Sequence, residues 1–279
     1  MIHLKNHFDK KDTYIIGKLI SNGCQTFPIE ELERVCQEYD VPENLEEQVR
    51  QLYYENLKTP EDWDKLINDK SWEVRKAVAQ QGYGLDILIN DTYTAVRVSV
   101  AQQGYGLDKL INDGNCWVRK AVAKQGYGLD KLINDKDCWE VRVAVAQQRY
   151  GLDKLINDSH WRVRVAVAKQ GYGLDILIND EDPEVRAAVA EQGYGLDKLI
   201  NDEDWRVRKT VAKQKYRLDI LINDKDWEVR VAVAQQGYGL DKLINDKDYP
   251  VRKAVAEQGY GLDKLINRGD RVHKTNNTP

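Results

Sequence analysis

The sequence is poor in the side chains that carry out chemistry. Its 279 residues include four histidines, His3, His7, His160 and His273. No Ser-His-Asp arrangement, HExxH pair, phosphate loop or GxGxxG turn can be picked out, so the common hydrolase, metalloprotease and nucleotide-binding signatures are missing. The four cysteines, Cys24, Cys36, Cys116 and Cys138, form no CxxC pair and no zinc spacing. No apolar run approaches the length of a membrane span, and Met1–Lys10 lacks the apolar stretch of a secretory signal. Charge is nearly balanced, with 42 basic and 46 acidic residues. The imbalance lies in residues 1–58, with 7 basic against 11 acidic, and the remainder has 35 of each. Neither part has the positive excess expected of a general nucleic-acid binder. These absences predict a cytoplasmic protein with no catalytic residues, metal, cofactor, small-molecule substrate or membrane partner.

What the sequence does contain is repetition. From Asp69 to Asn267 one unit recurs nine times: Asp-x-x-Trp-x-Val-Arg-x-Ala-Val-Ala-x-Gln-Gly-Tyr-Gly-Leu-Asp-Lys-Leu-Ile-Asn. The Val-Arg pairs begin at Val74, Val96, Val118, Val141, Val163, Val185, Val207, Val229 and Val251. The step is 22 residues, and 23 between Val118 and Val141. Such a period means a stacked array in which each unit buries its apolar face against its neighbours. Around it, residues 1–58 read as a helical N-terminal capping domain, with helices opening near Pro28 and Pro42. Residues 59–68 read as a half repeat, 69–267 as nine full repeats, and 268–279 as a disordered tail. The tail's Arg268-Gly269-Asp270 spells an integrin-recognition tripeptide and is read as a helix stop.

Within a unit, a first helix runs from the Trp to the Gln, and a second element, Leu85–Asn90, has room for about two turns. Ser71, Asp182, Asp204, Asp226 and Asp248 stand where N-caps belong. Gly82 and its equivalents stop the helix in a left-handed conformation, and Arg149 and Lys215, which replace it twice, must tolerate strain or a different turn. Advancing about 100° per residue puts Val74, Ala77, Val78 and Gln81 on one buried stripe. Arg75, Ala79 and Trp72 fall to one side, and Glu73, Lys76 and Gln80 fall away from the core. The last three positions are also where the copies differ most, so the varied arc coincides with the solvent arc.

The Arg and the opening Asp recur one for one, which favours a structural ladder between units over a phosphate-binding row. Gln81 and its equivalents are read as buried amides tying turns together, and Tyr83 and its equivalents as packing between short helices. On the varied arc, Trp117, Lys120 and Lys124, then Arg162 and Lys169, then Arg206, Lys209 and Lys213 form the candidate partner-binding surface. Lysine beside tryptophan could also form a nucleic-acid strip. Against that, Glu140, Arg162, Glu184, Arg206 and Glu228 alternate in sign along one register and predict a self-neutralising row.

The unit resembles the leucine-rich repeat variant, a short relative of HEAT-like repeats, through Val-Arg-x-Ala-Val-Ala at Val229–Ala234 followed by Leu-Asp-x-Leu-Ile-Asn-Asp. The resemblance implies an all-α, right-handed α-solenoid in which helices alternate with short, partly 3₁₀ helices. The unit here is shorter than the family's, and Gly-Tyr-Gly stands where that family often has proline. An iron–sulfur cluster known in one member type would need four ligands, and Cys24 and Cys36 are the only cysteines outside the array. The expected function is a non-enzymatic protein-binding scaffold or adaptor of bacterial or phage type, including an enzyme accessory or prophage-type inhibitor. The alternative is a nucleic-acid-binding HEAT-like protein.

Overall fold

A computed structural model describes residues 60–262. The expected cap over 1–58 and tail over 268–279, with Arg268-Gly269-Asp270, lie outside the described residues. So do Cys24, Cys36 and three of the four histidines. Of the half repeat, the structure describes a helix, Pro60–Leu66. From there, nine-residue helices alternate with four-residue helices, from Trp72–Gln80 and Leu85–Leu88 through Leu240–Leu243 and Tyr249–Glu257. Among the described residues there is no strand, and no helix is long and apolar enough to cross a membrane.

The local chemistry of each repeat explains these elements. The opening aspartate folds back on the chain, accepting the amide two residues on: Tyr93 N donates to Asp91 Oδ1 at 2.8 Å, and Asp248 N to Asp246 Oδ1 at 2.9 Å. This Asx turn sets the next residue extended and launches the helix. At the other end Gly82 N donates to the Ala79 carbonyl at 3.0 Å and Tyr83 N to Val78 at 3.3 Å. That pair of bonds is the Schellman closure, with the left-handed glycine one residue past the cap. A second left-handed residue, Gly84, opens the short helix. There Leu88 N and Ile89 N make i→i−4 bonds to Gly84 and Leu85, and Asn90 N and Asp91 N close with i→i−3 bonds. The short element is therefore an α-turn finished in 3₁₀ fashion.

The N-caps follow the expectation only in part. Asp182 and Asp204 accept the amides of Glu184 and Arg206 at 2.9 and 2.8 Å. Asn115 and His160 do the same for Trp117 and Arg162. Ser71 makes no such bond, and its hydroxyl donates to Glu73. Asp226 and Asp248 turn instead to the arginines Arg208 and Arg230, at 2.5 and 2.6 Å. Asp248 could not cap the second helical amide in any case, because Pro250 has no N–H.

The chain divides between Leu132 and Ile133 into two compact units. The first contains the long helices of repeats one to three, and the second those of repeats four to nine. Within each, every long helix packs on the next, which is the stacking of an α-solenoid. The core is built from the two valines of each long helix, such as Val163 and Val167, and the leucine of each short helix, such as Leu177. A fully buried valine contributes about 1.5–3 kcal/mol, so the stack is held mainly by these repeated contacts. The last alanine of the motif, Ala79 and its equivalents through Ala234, is fully buried as well, although the helical wheel put it beside the stripe. A helix sandwiched between two neighbours buries a wider arc than one packed on a single surface. Gln81, placed on the stripe by the same wheel, is exposed because the helix ends there. Its equivalents still tie turns together: Gln103 and Gln125 Nε2 donate to the carbonyls of Gln80 and Gln102 at 2.9 and 3.0 Å.

The two glycines of each Gly-Tyr-Gly turn have different tasks. A Cβ at Gly171 would meet no atom within 4 Å, whereas at Gly173 it would lie 2.2 Å from Ile156 Cδ1 of the preceding repeat. Three other residues do hold positive φ: Arg149 at 59° and Lys215 at 58° in the first glycine's place, and Arg217 at 45° in the second's. Gly171→Ala should cost about 1 kcal/mol, the left-handed penalty alone. Gly173→Ala should cost about 2 kcal/mol, since the isoleucine must also shift. Urea unfolding of the two variants would show equal losses if the second glycine had no packing role.

The extra residue of the fourth repeat is absorbed before its long helix. Asp135 Oδ1 accepts from Asp137 N at 3.2 Å and from Cys138 N at 3.0 Å, one residue later than in other repeats. Cys138 takes the cap position, buried, with its thiol 3.0 Å from Glu140 Oε2.

Candidate binding surfaces

The arginine in every repeat is a structural element. Arg164 donates from Nε and Nη2 to the two carboxylate oxygens of Asp180 at 2.6 and 2.8 Å, and from Nη1 to the Asp158 carbonyl at 2.8 Å. Arg75, Arg97, Arg142, Arg186, Arg208 and Arg230 make the same fork to the aspartate that opens the following repeat. Asp91, Asp113, Asp158, Asp180, Asp202, Asp224 and Asp246 thus each take a guanidinium from the layer before at the side chain, while the carbonyl takes one from its own layer. The planar fork matches a carboxylate bidentately. Burial alone would push the carboxyls of Asp91, Asp113, Asp158 and Asp246 up. The arginine fork and the turn amide outweigh it and hold all four below the usual carboxylate range. The same bonds raise the arginines. No buried side-chain nitrogen or oxygen among the described residues lacks a partner.

The varied arc is where the repeats differ at the surface. In the first unit, Trp117, Lys120 and Lys124 share the helix Cys116–Lys124. Cys116 occupies the usual tryptophan slot, so Trp117 is displaced one residue and stands 52% exposed, with Lys120 Nζ 4.6 Å from its ring centre. In the second unit, Arg162 and Lys169 lie on Trp161–Lys169, and Arg206, Lys209 and Lys213 on Trp205–Lys213. Arg206 and Lys209 flank the Trp205 ring at 5.7 and 5.3 Å.

Several of these cations already have anionic neighbours. Arg206 lies 3.8 Å from Glu184 and 3.1 Å from Asp204, and Lys169 lies 3.5 Å from Glu191. The Glu184–Arg206 contact is one step of the alternating row read from the sequence. Arg162 stacks over the rings of Trp139 and Trp161 at 4.8 and 4.7 Å, and the His160 ring lies parallel to Trp139 at 4.6 Å. That cluster was not foreseen. Its signal is that Trp139 and Trp161 share a register, which puts their rings in successive layers.

The tyrosines of the Gly-Tyr-Gly turns are only partly covered. Tyr105, Tyr127, Tyr150, Tyr172, Tyr194, Tyr238 and Tyr260 are each 40–43% exposed, so the larger part of each is covered and the rest faces solvent. At the start of the array, Tyr83 Oη donates to Asp64 Oδ1 at 2.8 Å, and its ring tilts against Trp63 at 6.3 Å. That bond raises the Tyr83 phenol.

Neither a protein-family model nor any curated protein matches the chain, which stands by its architecture as a helical repeat protein.

Proposed function

We propose that the chain is a non-enzymatic, cytoplasmic protein-binding scaffold or adaptor whose repeats are of the leucine-rich repeat variant type, a short HEAT-like unit. The observation that carries this reading is the division of labour within each repeat. The arginines and opening aspartates serve one another, while the residues that distinguish the copies lie on one arc of the long helix, exposed at Trp117, Lys124, Arg162, Lys169, Arg206 and Lys213 and half-buried at its middle position, as at Lys120 and Lys209. Trp117 supplies a large exposed ring of the kind enriched at binding hot spots. The cations beside Glu184, Asp204 and Glu191 are partly neutralised, which favours a protein partner over a phosphate backbone.

The test is affinity capture of a partner from the native cell, followed by binding measurements with variants. Trp117→Ala should weaken a protein partner about tenfold or more, with modest dependence on salt. A partner whose affinity fell steeply with salt and with each lysine lost would be nucleic acid. Undiminished binding after replacing Trp117, Lys120, Lys124, Arg162, Lys169, Arg206, Lys209 and Lys213 would remove the arc from consideration.

A further inference from the structure

We infer that the long-helix face of repeats five to eight is a self-association surface, whose occupant is the same face of a second copy of this chain. The inference rests on the protein-binding reading of the varied arc and names one occupant for its second-unit part. Trp117 lies in the first unit and takes no part.

The face is built from positions i, i+3 and i+7 of each long helix, which share one side at about 100° per residue. At the two ends of that stripe, repeat five presents Arg162 and Lys169, and repeat six Glu184 and Glu191. Repeat seven presents Arg206 and Lys213, and repeat eight Glu228 and the neutral Gln235. The four helices pack in that order, each on the next, so the sign of the face alternates from layer to layer. All these side chains are exposed except Glu228, which is half-buried.

An alternating face is complementary to itself only about an axis between two layers. A two-fold on layer six would set layer five against layer seven, cation on cation. One on layer seven would set Glu184 against Glu228. An axis between layers six and seven, parallel to the helices, sets six against seven and five against eight. Arg162 then meets the second copy's Glu228, Glu184 meets Arg206, and Glu191 meets Lys213. Each pair occurs twice, as an isologous contact requires. At the middle of the stripe, half-buried Val165 faces Val231, and Lys209 faces the short side chain of Ala187. An axis between layers five and six also alternates correctly, but it sets Arg206 against Glu140, whose carboxylate already receives the Cys138 thiol at 3.0 Å.

The contacts within one copy leave these charges able to act again. Glu184 and Arg206 are 3.8 Å apart and Lys169 and Glu191 3.5 Å apart, each side chain still about half exposed. At the axis, the Glu184–Arg206 pair of one copy lies head to tail on that of the other. The result is a ring of four alternating charges, and a network holds better than a single exposed pair. Area sets the strength. A nine-residue helix is about 13 Å long and four layers span about 36 Å, so each copy covers about 500 Å². The total of about 1,000 Å² lies at the lower end of specific interfaces, so the dimer is weak.

The test is sedimentation of the full chain at low salt, from about 10 μM to about 1 mM. The parent should pass from monomer toward dimer over that range, and salt near about 0.5 M should weaken the dimer several-fold. Two charge reversals separate this face from any other. Arg206→Glu with Lys213→Glu makes layers six and seven both negative, and Glu184→Arg with Glu191→Lys makes both positive. Each variant alone should dimerise at least about tenfold more weakly than the parent, because like charges then face each other. Mixed in equal amounts, the two should recover the parent's affinity to within about threefold. The contacts within one copy are lost in both variants and in the mixture alike, so only contacts between copies separate the measurements. Recovery also excludes misfolding. The proposal is overturned if the parent stays monomeric at about 1 mM, if either variant alone dimerises more tightly than that tenfold limit, or if the mixture falls short of recovery. Trp117→Ala should leave the dimer intact, which separates a failure here from a failure of the partner reading.

Discussion

Replacing Arg164 with alanine should destabilise the array by about 3 kcal/mol, against less than about 0.5 kcal/mol for Lys169→Ala five residues along the same helix. Arg164 is nearly buried and places three donors, two on Asp180 and one on the Asp158 carbonyl. Its loss strands a carboxylate that is itself almost wholly out of solvent and leaves it the turn amide of Asp182 at 2.9 Å. A buried charge deprived of its partner costs far more than the pair contributes net. Lys169 loses only a contact of 3.5 Å to Glu191, with both side chains about half exposed. Such pairs contribute roughly 0–1 kcal/mol before the gain in side-chain freedom is counted. Arg164→Lys should fall between, because an ammonium keeps the charge but cannot fork. Urea unfolding midpoints in the reverse order for Arg164 and Lys169 would mean that the ladder does not hold the layers together.

Acid should unfold the array cooperatively, with the onset near pH 4 and completion below it. Asp91, Asp113, Asp158 and Asp246 all have carboxyl groups held below their ordinary value in the folded chain. A depressed folded pKa means that the unfolded chain binds the proton more readily. The stabilisation is therefore complete above the unfolded value of about 3.9 and is lost as pH falls through the folded values. The four groups open the second, third, fifth and ninth repeats, two in each compact unit, so their protonation weakens both units. The helical circular dichroism signal should stay flat from neutral pH to about pH 4 and collapse below. Added salt should move that midpoint little, since partly buried pairs are weakly screened. A midpoint that moved strongly with salt would assign the acid lability to exposed charges instead.

The ladder is legible in the sequence because Arg and Asp recur one for one, and a buried arginine needs one carboxylate. The alternation of long and short helices is equally legible, since Gly-Tyr-Gly offers two left-handed positions close together. Burial at helix ends is harder to read. A wheel places Gln81 on the core stripe only if the helix continues, and Gly82 ends it. The caps fail where two acceptors or donors compete in one loop: Asp226 can serve its own helix or Arg208, and nothing local decides between them. The exposure of the tyrosines was not readable either. A residue identical in every copy looks like core, but identity also follows from a turn that must be repeated. For the varied arc, the sequence indicated which positions differ. The structure adds that Trp117 stands out from its helix while Arg162 lies against two indoles.

The fourth repeat has a consequence for how such an array can be edited. Arg142 still reaches the Asp135 carbonyl at 2.6 Å and still forks onto Asp158, although one more residue lies between Asp135 and the helix than elsewhere. The contact between layers is fixed at the aspartate and at the arginine, and the residues between them only bridge the gap. That stretch is a port: chain can be added there, as Cys138 is, without disturbing the fork that Arg142 makes to the layer after it. A loop grafted at Lys136–Asp137 would be displayed from a repeat that keeps its joint to the next.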